Sequence, residues 1–130
     1  MWLLILGVLV GGFSLWQLSG SGPQYRPLNS AVWRGADVAT APDANPRRDM
    51  AFAAQDWLEA RHPARLQVYT LLGPADAFPA AMTEAYRVGC GFTAPGCETE
   101  DWLLVRYGGD GRVVATTFQP AAYLPAAGSD

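Results

Sequence analysis

The chain has 130 residues, with nine cationic and twelve acidic side chains and a net charge of −3 at pH 7. This length has room for one domain with a modest core. All nine cationic residues are arginines and they are dispersed. The clustered positive charge that displaces phosphate counterions is therefore missing, and nucleic acid is not an expected partner.

The first hydrophobic segment, residues 1–18 (MWLLILGVLVGGFSLWQL), carries no charge. As an α-helix it would cover about 27 Å, close to the thickness of a hydrocarbon core. Trp2 and Trp16 lie near its two ends, where indole rings favour the membrane interface. We therefore predict a single-pass transmembrane helix. The alternative is a cleaved secretory signal, for which residues 19–22 (SGSG) offer a cleavage site although a positive n-region is missing.

Within this segment, Gly7, Gly11 and Ser14 form a strip of small residues. Such a strip lets another helix backbone approach closely, although glycine is also simply common in membrane helices. We expect residues 1–18 to lie in the lipid bilayer and to pack against transmembrane helices of a larger complex.

The only two cysteines, Cys90 and Cys97, lie close together in a Gly- and Pro-rich segment. This pattern favours a local disulfide and hence an oxidising compartment such as the periplasm. Arg26, the cation nearest to the hydrophobic segment, argues weakly for a cytoplasmic domain instead. Two free thiols are the second interpretation and a metal site the third, because His62 is distant in sequence. We expect a domain on the periplasmic side of a bacterial inner membrane.

Two segments predict extended chain. Residues 19–45 are rich in Ser, Gly, Pro and Asn and read as a linker, and residues 119–130 are an Ala- and Pro-rich tail. Trp33 in the linker is expected to anchor it to the domain or to contact a partner. Tyr123 and Leu124 in the tail are further candidates for partner contact.

The remaining residues, 46–118, predict one α+β domain. Apolar spacings of three and four indicate a helix over 46–61 and a shorter one after Pro63 that Gly73 ends. A loop over 74–79 then precedes strands over 82–88, 102–107 and 112–118, the last two joined by the glycine-rich turn at 108–111. We predict two helices packed on a three-stranded antiparallel sheet.

Three motifs in this domain resemble the BamE/SmpA-like lipoprotein superfamily. They are LLGPAD at 71–76, YRVG at 86–89 and DWLLVRYGGDGRVV at 101–114. The resemblance covers about residues 50–118 and implies an ααβββ domain with a role in envelope assembly. Family members carry a lipobox cysteine after the signal, and here no cysteine precedes Cys90, so a lipid anchor is not expected.

No catalytic constellation is recognisable. His62 has no nucleophile beside it in sequence, and the acidic cluster of Glu98, Glu100 and Asp101 is typical of a solvated turn. We therefore predict no enzyme activity, no cofactor and no metal. The predicted function is that of an accessory or scaffold subunit of a membrane complex, respiratory or photosynthetic. The alternatives are a BamE-like envelope assembly factor and, third, an enzyme or small ligand-binding protein with a cleft near His62 and the acidic cluster.

Overall fold

The computed structural model describes residues 22–121. Residues 22–121 form an α+β fold with three α-helices and four strands. The helices are α1 (Ser30–Arg34), α2 (Ala51–Arg61) and α3 (Arg65–Leu72), and the strands are β1 (Ala77–Ala80), β2 (Thr83–Gly89), β3 (Asp101–Tyr107) and β4 (Val113–Pro120). Two 3-10 turns, Pro42–Ala44 and Arg48–Met50, lie between α1 and α2. The strands form one antiparallel sheet in the order β1-β2-β3-β4.

The prediction of a three-stranded sheet is wrong, because the segment predicted as the loop 74–79 contains β1. This strand pairs with β2 through Ala77 opposite Ala85 and Ala80 opposite Thr83. It has four residues and contains Pro79, which no central strand tolerates because proline cannot donate to the ladder. An edge strand pairs on one side only, so Pro79 is accommodated there. Its shortness and its proline hide it from a sequence pattern.

The transmembrane helix of the predicted fold class is likewise not part of the observed architecture. No helix within residues 22–121 is long and apolar enough to cross a membrane. The predicted segment 1–18 lies outside the described residues, as does the tail beyond residue 121. The predicted site residues that fall there are Trp2, Gly7, Gly11, Ser14, Trp16, Tyr123 and Leu124.

The core lies between one face of the sheet and the helices. Side chains of β3 alternate, so that Leu103, Val105 and Tyr107 are buried on the inner face. Leu58 of α2 and Val68 of α3 pack in the same cluster and are fully buried. Each such aliphatic side chain contributes roughly 1.5–3 kcal/mol relative to an exposed one. The outer face of the sheet carries no helix among the described residues, and Trp102 of β3 is half-buried on it.

The segment 22–45 is more ordered than the predicted extended linker. It contains α1, whose first turn is capped by the Asn29 side chain accepting from the Val32 amide at 3.2 Å. Trp33 on this helix is fully buried and packs edge-to-face on Tyr86, with ring centroids 6.2 Å apart. Of the two roles expected for Trp33, the structure therefore shows the anchor of this segment to the domain, and its burial rules out a direct partner contact. Burial of a large aromatic ring is what holds a segment of such polar composition on the domain.

A buried arginine joins this segment to the sheet. Arg47 donates from Nε to the Trp33 carbonyl at 3.0 Å and from Nη1 to the Asp76 carboxylate at 2.8 Å. Asp76 also accepts from the Arg87 amide at 2.9 Å. The Arg47 side chain is 5% exposed, so its charge is stabilised almost entirely by these protein groups.

We expect Arg47→Ala to lower the free energy of unfolding by about 3 kcal/mol, because it leaves the Asp76 carboxylate without its counter-charge in a mostly buried site. The control is Arg26→Ala, since Arg26 is 70% exposed and 4.0 Å from Asp49. That change is expected to cost less than about 1 kcal/mol. Urea unfolding of the full chain in mild detergent measures the free energy of unfolding of both variants. Equal losses of stability would contradict the stabilising role of the buried Arg47–Asp76 pair.

Candidate functional site

Helix α3 is apolar on two sides, and only one of them faces the core. Val68 and Leu72 are fully buried, whereas Leu66 is 74% and Tyr69 56% exposed. Phe78 of β1, which lies on the same side of the molecule, is 63% exposed. A surface helix normally places polar residues away from the core, so this excess of apolar side chains indicates a second contact surface.

The exposed side chains surround a cavity of about 400 Å³ between α3 and the β1–β2 hairpin, which we call the α3–β1 groove. Its lining residues are Arg65, Leu66, Tyr69, Gly73, Pro74, Ala75, Phe78, Glu84 and Tyr86. Gly73, with φ of 75°, allows the chain to turn out of α3 towards β1. An added Cβ there would also lie 3.2 Å from Cγ of Arg34. Both facts require glycine at the end of the groove.

The polar groups of the groove centre on Glu84. One carboxylate oxygen accepts from the Tyr107 hydroxyl at 2.7 Å, and the other lies 3.6 Å from Nε of Arg65. The Arg65 guanidinium lies 4.6 Å from the centroid of the Tyr107 ring, within range of a cation–π contact. The Glu84 side chain is only 12% exposed, and Arg65 is half-exposed. The groove therefore combines an apolar rim with one fixed acidic group and one adaptable basic group.

Both tyrosines beside Glu84 are held in the protonated form. Burial, followed by the negative charge of Glu84, raises the pKa of Tyr86 well above its ordinary value of 10.0. Burial and the hydrogen bond to Glu84 raise the pKa of Tyr107 in the same direction. The Tyr86 hydroxyl donates to the Gly73 carbonyl at 3.2 Å. Neither hydroxyl is activated as a nucleophile or base, and both act as fixed donors.

The predicted disulfide between Cys90 and Cys97 is present. The loop that it closes is held by Asp101, a carboxylate only 1% exposed. This carboxylate accepts from the amides of Phe92 and Thr93 at 2.8 and 3.2 Å and from the Thr93 hydroxyl at 2.6 Å. The cysteine loop is thus closed at the end of β2 by a covalent bond and fixed to the start of β3 by a buried carboxylate.

The other polar residues singled out in the sequence have structural partners. His62 ends α2 with φ of 46°, and its Nδ1 lies 2.9 Å from the Val113 carbonyl oxygen. Glu100 pairs with Arg87 at 3.0 Å. Within residues 22–121 no three His, Cys, Asp or Glu side chains are grouped so as to hold a metal ion. These groups therefore serve caps, ion pairs and turns.

Sequence reasoning placed Leu66 and Tyr69 in a short helix but did not identify the groove. The sequence pattern does not mark Phe78 or Glu84 as members of a functional site. The available signal was that the α3 sequence, RLQVYTLL, has more apolar residues than one core-facing stripe requires. The opposing wall comes from β1, which the sequence did not predict.

No protein-family model matches the chain, and no curated protein and no solved structure matches it.

We expect Cys90→Ala/Cys97→Ala to lower the free energy of unfolding by about 2 kcal/mol, because the disulfide closes a short loop whose entropy in the unfolded chain is then restored. Urea unfolding of the variant and of the reduced wild-type chain measures this loss. The two should agree, and a variant as stable as the oxidised wild type would contradict a structural role for the bond.

The stability of the domain should fall as the pH rises above about 10. The unfolded tyrosines then lose their protons, whereas Tyr86 and Tyr107 keep theirs in the folded state, so the native state binds more protons. The expected loss at pH 11 is about 1 kcal/mol for each buried tyrosine. Tyr107→Phe should lessen the loss measured by urea unfolding between pH 8 and pH 11. If Tyr107→Phe loses as much stability between pH 8 and pH 11 as the wild type, the raised pKa of Tyr107 is not a cause of the loss.

Proposed function

We propose that this protein is a non-catalytic accessory or scaffold subunit of a membrane complex, and that the α3–β1 groove receives a segment of a partner protein. The observation that carries the proposal is the group of three large side chains on the groove rim, Leu66, Tyr69 and Phe78, each more than half exposed. A cluster of this kind is typical of protein interaction sites and not of an ordinary solvated surface.

The chemistry of the groove suits a polypeptide. Covering Leu66 and Phe78 with partner side chains would remove apolar surface from water, which favours binding by roughly 25 cal/mol for each Å² buried. Glu84 and Arg65 supply one acidic and one basic group, and these would orient a partner segment that carries complementary charges. Because the Glu84 carboxylate is fixed by Tyr107, it needs little reorganisation on binding.

Two features support a position at the membrane. The uncharged segment 1–18 is apolar enough to associate with a bilayer. The Cys90–Cys97 disulfide favours an oxidising compartment, such as the periplasm, for the folded domain. A subunit held on that face would present its groove to other proteins of the same membrane.

The second candidate is a BamE-like envelope assembly factor. The observation that favours it is the order of elements after residue 50, namely two helices followed by antiparallel strands whose last hairpin turns at Gly111, with φ of 77°. The extra strand β1 departs from the ααβββ order that the resemblance implies. Co-isolation with outer-membrane assembly factors, and not with an inner-membrane complex, would favour this candidate.

The test is purification of the full-length protein from its own membranes in mild detergent, with Leu66→Ser/Phe78→Ser compared with wild type. We expect the wild type to co-migrate with partner proteins and the double variant to lose them, since both changes remove apolar contacts from the groove. Val32→Ser is the matched control, because Val32 is 46% exposed and lies on α1, outside the groove. A wild-type protein that migrates alone, or a double variant that keeps every partner, would contradict the proposal.

A further inference from the structure

The two edges of the sheet differ in how they are protected. β1 at one edge has only four residues and contains Pro79, and both features discourage pairing with another strand. β4 at the other edge has eight residues, VVATTFQP, with no charged side chain and no proline before its last position. Its β-branched and aromatic residues have high strand propensity. Before Pro120, β4 therefore has none of the charges or prolines by which proteins usually prevent edge-to-edge pairing. Its register shift against β3 lies near its start.

Contacts of β4 within the described part of the chain leave its outer side accessible. Among residues 22–121, Val113 is the one β4 residue with a backbone hydrogen bond outside the β3 ladder. Its amide donates to the Pro63 carbonyl at 2.9 Å, next to the antiparallel bridge between Ala64 and Arg112 just before β4. Helix α2 packs on the inner face, where the Thr116 hydroxyl donates to the Glu59 carboxylate at 2.6 Å. Val114 is 48% exposed, and Thr117 is also exposed. Such an edge is a template for an added strand.

We propose that β4 pairs antiparallel with β4 of a second copy of the chain, so that two four-stranded sheets become one eight-stranded sheet across a two-fold axis. This interaction surface is separate from the α3–β1 groove, which lies beside β1 at the opposite edge. The dimer would therefore keep both grooves open. The proposal does not depend on the proposed function of the groove.

A second copy fits this edge for an electrostatic and a geometric reason. In a two-fold pair each residue meets a residue of the same strand, so a charged strand would place like charges close together. β4 has no charge, and self-pairing therefore incurs no such repulsion. A register centred near Thr116 places threonine opposite threonine and Val114 opposite Phe118. Threonine pairs and aromatic–β-branched pairs are both favourable across strands.

The experiment is a charge exchange at Thr117, whose exposed side chain would lie close to the two-fold axis. Full-length wild type, Thr117→Lys and Thr117→Glu are examined in mild detergent by analytical ultracentrifugation at low salt over a range of protein concentrations. Ala80→Lys is the matched control, because it adds the same charge to an exposed residue of the opposite edge strand.

We expect the wild type and Ala80→Lys to dimerise, and each Thr117 variant alone to dimerise at least about tenfold more weakly, a difference of about 1.4 kcal/mol. An equimolar mixture of Thr117→Lys and Thr117→Glu should recover the dimer, because the opposite charges are then diagonal neighbours across the axis, within reach of long side chains. A monomeric wild type would overturn the proposal and leave the edge to a strand of another protein or to another segment of this chain. A wild-type dimer that the Thr117 changes do not weaken would overturn it equally.

Loss of the groove partner in the Leu66→Ser/Phe78→Ser variant leaves β4 unchanged. The two proposals can therefore fail independently: co-purification reports on the groove, and the association state of the Thr117 variants reports on the edge.

Discussion

The buried charge of Arg47 is the constraint on which the arrangement of the other segments depends. An almost fully buried guanidinium is tolerated only where protein groups replace its hydration. Its partners are the carbonyl of Trp33, the carboxylate of Asp76 and, at 3.5 Å, the carbonyl of Arg87. These three residues belong to α1, to the approach to β1 and to β2. A single side chain therefore fixes the N-terminal segment and the edge of the sheet relative to each other.

The groove follows from the same constraint. Asp76 precedes β1, and its position sets where Phe78 leaves the sheet edge. The facing wall is α3, which ends at Gly73. The Ser30 hydroxyl of α1 donates a hydrogen bond to the Leu71 carbonyl of α3. Both walls are thus tied to the segment that Arg47 holds. Groove geometry is accordingly a property of the whole core and not of α3 alone.

A domain of this size covers only part of its apolar surface. The helices bury the inner face of the sheet, but they leave the rim of the groove and the backbone edge of β4 exposed within the described residues. The groove rim presents apolar side chains, and the edge of β4 presents unpaired backbone groups. The physical basis of binding therefore differs between them: burial of Leu66 and Phe78 for one, and strand pairing for the other.

Elements with strong local signals are predictable from the amino-acid sequence alone. The spacing of apolar residues predicts the regions of α2 and α3, and the glycine-rich turn at 108–111 predicts the β3–β4 hairpin. The Cys90–Cys97 pair in a Gly/Pro loop predicts the disulfide that is present. Each of these signals comes from neighbouring residues, so no long-range contact was needed to recognise it.

The remaining features depend on contacts between distant parts of the chain. β1 exists because β2 offers it a partner, since four residues with a central proline have too little strand propensity of their own. The sequence leaves open whether Trp33 anchors the linker to the domain or contacts a partner, and it is buried in the domain because Tyr86 and Arg47, distant in sequence, enclose its ring. The groove combines residues from α3, β1 and β2. Glu84 is its fixed acidic group because Tyr107 donates a hydrogen bond to the carboxylate and Arg65 lies beside it. Contacts between residues far apart in the chain create these features, and a local pattern does not contain them.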